Sequence, residues 1–467
     1  MPVRATDAGV GSAELFIPRG AVAELRARRA AILGILARWS ERAGLVFLML
    51  AIGTLLFRPT DLVPSLQGAS IYEACMVLCI LVSLGRVIPL VRAGALRANA
   101  MAAFAGVFVL SVVLSHLARA DTWNARIDGL EAVKACILFL LILGLVNTAP
   151  KLVAMLLATS ASVLAMTALA LLNYHGLIHV EALTSVVQAS EGEALLRLCG
   201  TGIFSDPNDY SLMLVLCMCV CVYVLGWRRL GQRRWLAFLP LAVFGYALIL
   251  THSRGGFMSV CAAGATFLVA RFGWRNALPL VAAMSVLVLV PVWGRQTEWN
   301  VSDPEDTFQA RLELWSSSLD EFRGAPLFGI GRGRLAEVIG QVAHNSYLHA
   351  FVELGIVGGT VFIGSFFMAV RGLWRVRPVE GTLARLRPCV LAITFAYGAG
   401  LLSLSRCYTL PTQMILALAC AFLLAASRGG QGWVPRLNAK TVRAVAIAGA
   451  VFLAGTYAFV RVMLLRG

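Results

Sequence analysis

Long apolar blocks, each close to the ~20 residues that cross a bilayer as a helix, alternate with short polar stretches along the whole chain. They predict spans at 43–58, 70–90, 99–117, 129–147, 151–173, 208–226, 236–251, 256–271, 277–294, 347–370, 389–404, 411–427 and 444–463. The pattern describes an all-α polytopic membrane protein with about 12–13 transmembrane helices. Ahead of the first block, Arg26, Arg28, Arg29, Arg38 and Arg42 alternate with Leu25, Ile32, Leu33, Ile35, Leu36 and Trp39. This reads as a basic amphipathic helix on the cytoplasmic face, with the first span acting as an uncleaved signal anchor. The expected organisation is a cytoplasmic segment at 1–42, transmembrane helices at 43–294, an outer loop at 295–346 and further transmembrane helices at 347–467.

Composition sharpens this picture. Of 467 residues, 59% are hydrophobic and 14% charged, against roughly 25% charged in a soluble domain. The net charge of +16 invites a nucleic-acid reading, but the placement of the arginines excludes it. They crowd into short inter-span loops, the positive-inside signature of the cytoplasmic side. With the N-terminus inside, Arg86–Arg97, Arg228–Arg234, Arg271–Arg275, Arg371–Arg387 and Arg428–Arg443 all fall in the cytoplasm. The partners expected from composition are therefore membrane lipids and not nucleic acid. Most of the eleven Cys lie within apolar spans and read as small filler. Cys199 and Cys407 both fall outside, which leaves a pairing between them open.

That orientation makes the outward loops the informative part. Two are long, His175–Asp206 and Arg295–Ser346, and one is short, Thr251–Gly255. The 295–346 loop is acidic, with Glu298, Asp303, Glu305, Asp306, Glu313, Asp320 and Glu321, and it holds a helical pattern over Phe308–Phe322. Leu312, Trp315, Leu319 and Phe322 share one side of that helix. A loop of this length with its own helices is usually functional.

Candidate chemistry collects on the same side. Arg254 sits in Thr251-His252-Ser253-Arg254-Gly255-Gly256, where it either snorkels to the interface or faces a cavity beside the glycine pair. Arg311 lies on the loop helix, either on a solvated face or toward an anionic ligand that its planar fork can grip. His344, in Ala343-His344-Asn345-Ser346-Tyr347-Leu348-His349, stands where the loop re-enters the membrane, and an imidazole there can take a proton near neutral pH. Asn345 is placed to orient it. His349 is five residues on, so a zinc pair on one helix face is disfavoured. Arg332 and Arg334 form a Gly-rich basic turn that lacks the ending of a Walker loop. Together with Arg197, Asn345 and Trp315 they are candidate substrate contacts, and Arg406 adds positive charge. Asp206-Pro207-Asn208-Asp209 reads as the start of a span, with Asp206 as its cap. No Asp-x-Asp metal motif appears, and neither metal nor cofactor is expected.

In this order and on this side, five pieces resemble the O-antigen ligase and polymerase superfamily of bacterial membrane glycosyltransferases. They are Phe204-Ser205-Asp206-Pro207-Asn208-Asp209, Ser253-Arg254-Gly255-Gly256, Arg311-Leu312-Glu313-Leu314-Trp315, Pro326-Leu327-Phe328-Gly329-Ile330-Gly331, and His344-Asn345-Ser346-Tyr347-Leu348 with Glu353-Leu354-Gly355. The resemblance spans Gly200–Gly359.

The resemblance implies a helical glycosyltransferase of the C type. Its donor would be a glycan on undecaprenyl diphosphate, and its acceptor a hydroxyl on lipid A-core or another surface glycan. Transfer would occur at the periplasmic face of the bacterial inner membrane, inverting and independent of metal. Arg254 and Arg311 would grip the diphosphate, and His344 would take or orient the acceptor proton. A polymerase joining lipid-linked repeat units is the near alternative. A lipid-linked glycan transporter without catalysis and a peptidoglycan polymerase are more distant ones.

Overall fold

The computed structural model describes residues 19–183, 186–190, 193–283, 308–377, 381–430 and 432–465. Its long helices begin with α1 (Arg19–Phe57), α2 (Ile71–Val87), α3 (Ala100–Leu117), α4 (Thr122–Leu145) and α5 (Ala149–Tyr174). A hairpin of β1 (Val186–Ser190) and β2 (Glu193–Arg197) precedes α6 (Pro207–Leu225), α7 (Phe238–Leu250) and α8 (Arg254–Phe272). The loop helices α9 (Phe308–Gly324) and α10 (Arg334–Ile339) lead into α11 (Ser346–Arg375), α12 (Gly381–Gly400), α13 (Leu410–Arg428) and α14 (Ala439–Leu464).

Among the described residues, 11 helices are long and apolar enough to cross a membrane. Two of the spans read from the sequence are not among them. The 129–147 span is helical as the inner part of α4, but Asp128, Glu131 and Lys134 bring charge into its outer half, while Leu138–Leu145 is buried against neighbouring helices. The 277–294 span is helical to residue 283, and its remainder lies outside the described residues, as does the start of the acidic loop. Helix α1 is unbroken for 39 residues, roughly 58 Å at 1.5 Å per residue. From Arg19 onward, the basic segment is thus continuous with the first span. The antiparallel hairpin in the 175–206 loop is an addition that the apolar pattern did not announce.

Helices α11, α12 and α13 are buried on nearly every side and form the centre of the bundle. In contrast, α2, α7, α8 and α14 expose a broad apolar face, as lipid-facing helices do. All eleven cysteines carry free thiols, so Cys199 and Cys407, both buried, are not joined.

The two ends of the bundle are distinct. In the orientation predicted by the arginines, the inner end joins the Leu437 N–H to the Arg97 carbonyl and Arg428 to the Asn147 carbonyl. At the outer end, the Leu198 N–H reaches the Leu250 carbonyl and Arg406 reaches Asp206.

Helix α11 is the pivot between loop and bundle. It breaks at Gly355, whose φ of 69° and ψ of −169° are not helical. The break frees backbone groups inside the span, where an unpaired carbonyl costs several kcal/mol. The preceding loop satisfies them: Ile330 N–H donates to Val352 O (3.0 Å), and Gly331 N–H donates to Glu353 O (3.1 Å). In the reverse direction, Ile356 N–H donates to Pro326 O (2.8 Å). A Cβ on Gly355 would stand 2.2 Å from the Leu327 carbonyl oxygen, and one on Gly329 would stand 2.3 Å from that of Glu353. Both glycines are needed for this close backbone approach. Helix α9 docks alongside through Leu312 and Leu319, which share an apolar cluster with Ile330, Leu335, Ala343, Leu348, Val352 and Val460.

Candidate functional site

Helices α6, α8, α11 and α13 all begin at the outer end, and the segment 401–409 runs between their first turns. Each start has a local cause. Asp206 caps α6 by accepting the Asn208 N–H (2.8 Å). Ser253 caps α8 by accepting the Gly256 N–H (3.1 Å), and its hydroxyl also accepts from Ser211 Oγ on α6 (3.1 Å). Asn345 caps α11 by accepting from Tyr347 N–H (3.1 Å) and Leu348 N–H (3.2 Å). Pro411 occupies the first turn of α13, where its missing N–H has no cost. Four positive helix ends therefore meet in one place.

Arg406 ties them together. Its guanidinium bonds Asp206 (3.0 Å) and Asp209 on α6. Its backbone N–H donates to Ser346 Oγ (2.8 Å), and its carbonyl accepts from Thr412 Oγ1 (2.7 Å). Burial works to lower the Arg406 pKa, but Asp209 and then Asp206 outweigh it and hold the value above the ordinary one. Ser403 lies against Gly255, where a Cβ would come within 2.6 Å of its hydroxyl. The α8 start that carries Arg254 therefore abuts the same segment.

The residues singled out in the sequence fall into this frame as follows. Arg254 is exposed at the first position of α8. Arg197 is half-buried at the end of β2, donating from Nε to Thr251 O (2.9 Å) and from Nη2 to Asn208 Oδ1 (3.0 Å), so it links the starts of α6 and α8. His344 is half-buried immediately before the α11 cap, with φ of 47°. Arg311 is half-buried in the first turn of α9. Trp315, one turn further along α9, donates from Nε1 to Ala343 O (2.8 Å). The amide oxygen of Asn345 is engaged by the two α11 N–H groups rather than by the neighbouring imidazole.

Arg332 and Arg334 belong to an adjoining network. Arg332 donates to the Asp128 carbonyl (3.1 Å), lies 3.6 Å from its carboxylate, and covers the Tyr408 ring at 4.8 Å. Asp128 in turn bonds buried His116 (2.8 Å). Arg334 is half-exposed, 3.9 Å from Glu337. At the centre of this network is Glu353, fully buried on α11. Its carboxylate accepts from Tyr408 OH (2.8 Å) and Leu335 N–H (3.1 Å), and pairs with His349 (2.9 Å). Burial first, and then Glu353, push the Tyr408 hydroxyl well above the usual phenol range, so it stays a donor.

Sequence reasoning quoted Glu353 only as part of a motif and gave it no role, and it did not single out Tyr408, Asp128 or His116. A lone Glu in an apolar span is a signal in its own right, because such a group is costly without a partner. Asp128 and His116 gave no comparable signal, since each sits at the edge of an apolar run, where polar residues are ordinary. His349 faces Glu353 at the i, i+4 spacing and not His344.

A family model described as O-antigen ligase matches residues 239–363. The matched region runs from α7 into α11. It includes Arg254, Arg311, Trp315, Arg332, Arg334, His344 and Asn345, and it leaves out Arg197, Asp206, Asp209 and Arg406. The match supports the O-antigen ligase and polymerase superfamily that the motifs resemble. No curated protein and no solved structure matches the chain.

Proposed function

We propose that this multi-pass membrane protein is a glycosyltransferase of the O-antigen ligase type. It takes a glycan from undecaprenyl diphosphate and passes it to an acceptor hydroxyl, on lipid A-core or another surface glycan, at the periplasmic face of the bacterial inner membrane. The loop 295–346 is the catalytic loop in this reading. The observation that carries it is the gathering of four helix starts around Arg406, with Arg254 and His344 on two of them inside the family-matched region.

The chemistry follows from what these groups can do. The acceptor oxygen attacks the anomeric carbon, and the bond from that carbon to the diphosphate oxygen breaks on the opposite side. His344 takes the acceptor proton, and undecaprenyl diphosphate leaves with the bonding electrons. The anomeric centre inverts and no covalent glycosyl-enzyme forms. Arg254 and Arg311 offset the charge that grows on the leaving diphosphate, aided by the positive helix ends. Arg334, Arg332 and Arg197 contribute to the surrounding positive field.

A positioned base is worth ~10²–10⁴-fold. His344→Ala is therefore expected to lower glycan transfer by about that factor, at unchanged protein level in the membrane. The assay reconstitutes the full chain in proteoliposomes with an undecaprenyl-diphosphate oligosaccharide and rough lipopolysaccharide. Full activity of His344→Ala would sink the reading. Supplying only lipid-linked repeat units separates the alternatives: elongation without the second acceptor would make the protein a polymerase.

A further inference from the structure

Trp315 and Asn345 were expected to touch substrate, yet the Trp315 indole N–H and the Asn345 amide oxygen are engaged with backbone on either side of His344. The His344 backbone is left-handed, with φ of 47°. A non-glycine residue holds such a conformation only when its surroundings over-determine it. Before His344, fully buried Ala343 offers its carbonyl to the Trp315 indole N–H at 2.8 Å. After it, Asn345 is fixed as the α11 cap, and Ser346 Oγ accepts the Arg406 N–H at 2.8 Å. The peptide is thus clamped at both flanks, while His344 itself is only partly buried.

The clamp on the Ala343 side comes from α9, the helix that carries Arg311. The Trp315 ring is itself fixed, 6.2 Å from Phe459 of α14, beside the cluster in which Leu312 and Leu319 anchor α9. One hydrogen bond therefore joins the Arg311 helix to the residue directly before His344, where the chain re-enters the bundle.

We propose that Trp315 is a positioning residue for His344, holding its left-handed backbone through the Ala343 carbonyl, while Leu312 and Leu319 keep the Arg311 helix in place. The proposal rests on the reading of His344 as the group that takes the acceptor proton. Trp315 touches no reacting atom in this scheme. Its removal leaves donor binding intact and misplaces the imidazole, and a displacement near 1 Å can cost ~10²-fold in rate.

The test uses the full chain in proteoliposomes with an undecaprenyl-diphosphate oligosaccharide and rough lipopolysaccharide. Trp315→Phe keeps the ring on Phe459 and removes the N–H. It is expected to lower kcat at least about tenfold and to leave the donor KM within about twofold. In a His344→Ala background, Trp315→Phe is expected to cause no further loss, because residues that act through one another are not additive. Trp315→His restores a ring N–H and is expected to retain more activity than Trp315→Phe, which keeps the test open if the Phe variant fails to fold. A raised KM with kcat preserved, a full additional loss in the His344→Ala background, wild-type behaviour of Trp315→Phe, or Trp315→His no better than Trp315→Phe would each overturn the proposal. Unimpaired transfer by His344→Ala alone would instead break the underlying assignment of the base, so the two failures are distinguishable.

Discussion

Arginines meet helix termini at both ends of the bundle, with opposite electrical consequences. At the inner end, buried Arg387 donates to Leu373 O (2.8 Å) and Trp374 O (2.9 Å) in the last turn of α11. Its third arm reaches Ala270 O (3.5 Å) at the end of α8. These are helix C-termini, where free carbonyls carry partial negative charge, so the arginine neutralises what it meets. At the outer end, Arg406 and Arg254 stand among helix N-termini, whose charge has their own sign. Asp206 and Asp209 offset Arg406, and Arg254 stands exposed at the first position of its helix. Arg387 closes its charge on carbonyls within the fold. Arg254 leaves positive charge at a helix N-terminus facing outward, which suits an anionic ligand.

The largest test of this contrast is Arg254→Ala. If the outer arginine acts on a developing diphosphate charge, its loss is expected to lower transfer by ~10²–10³-fold, as removal of a fixed charge-stabilising donor typically does. Stability should hold nearly constant, because the side chain is exposed. Transfer rates and thermal unfolding of the same preparation check both halves. An Arg254→Ala protein that unfolds early, or one that transfers normally, would break the comparison at its outer end.

Much of this arrangement was legible in the sequence, and the reasons divide cleanly. Bilayer thickness imposes span length, so the helical bundle followed from apolar runs alone, while loop charge predicts which of its ends lies inside. Arg254 and His344 were visible because each breaks an apolar pattern at a span boundary. Contacts between distant segments carry no such periodic signal. Nothing near Glu353 announces that Tyr408 and the α10 backbone will meet it, and nothing near Arg406 announces Asp206 and Asp209, some two hundred residues away. The roles of Trp315 and Asn345 were blurred for a related reason: an indole N–H or a side-chain amide looks the same in sequence whether it binds a ligand or a carbonyl. The Pro326–Gly331 and Glu353–Gly355 motifs were read as separate pieces. Their meaning lies in being paired, since the first satisfies the backbone that the second leaves open.

The inner end supplies the next test. Arg387→Met keeps much of the volume and removes all three donors. Hydrogen bonds to a charged group each contribute ~1.5–3 kcal/mol, and some carbonyls will find water, so a loss of about 3 kcal/mol in stability is expected. The midpoint of thermal or denaturant unfolding should fall, while transfer per folded molecule stays at the wild-type rate. Arg254→Ala is expected to show the reverse pattern. A specific loss of catalysis in Arg387→Met would mean that the inner arginine is coupled to the site, and the division between the ends would fail.

The smallest effect asked for is also the sharpest about a single side chain. Asn345 borders His344, and the two accounts of it differ in what chemistry position 345 requires. As an α11 cap it needs only an acceptor oxygen at the right place, and Asp supplies one. Asn345→Asp should therefore fold normally, and its added negative charge beside the start of α11 should be neutral or slightly stabilising. Asn345→Ala removes the acceptor and should cost about 1 kcal/mol, as the loss of a helix cap typically does. If position 345 instead orients the His344 ring or grips a sugar through the amide nitrogen, Asn345→Asp would lose activity as Asn345→Ala does, because a carboxylate cannot donate. Unfolding midpoints and transfer rates for the pair decide between them. Equal stability of all three proteins would remove the cap as an explanation for the engaged amide oxygen, and with it one of the two flanks that hold His344 in place.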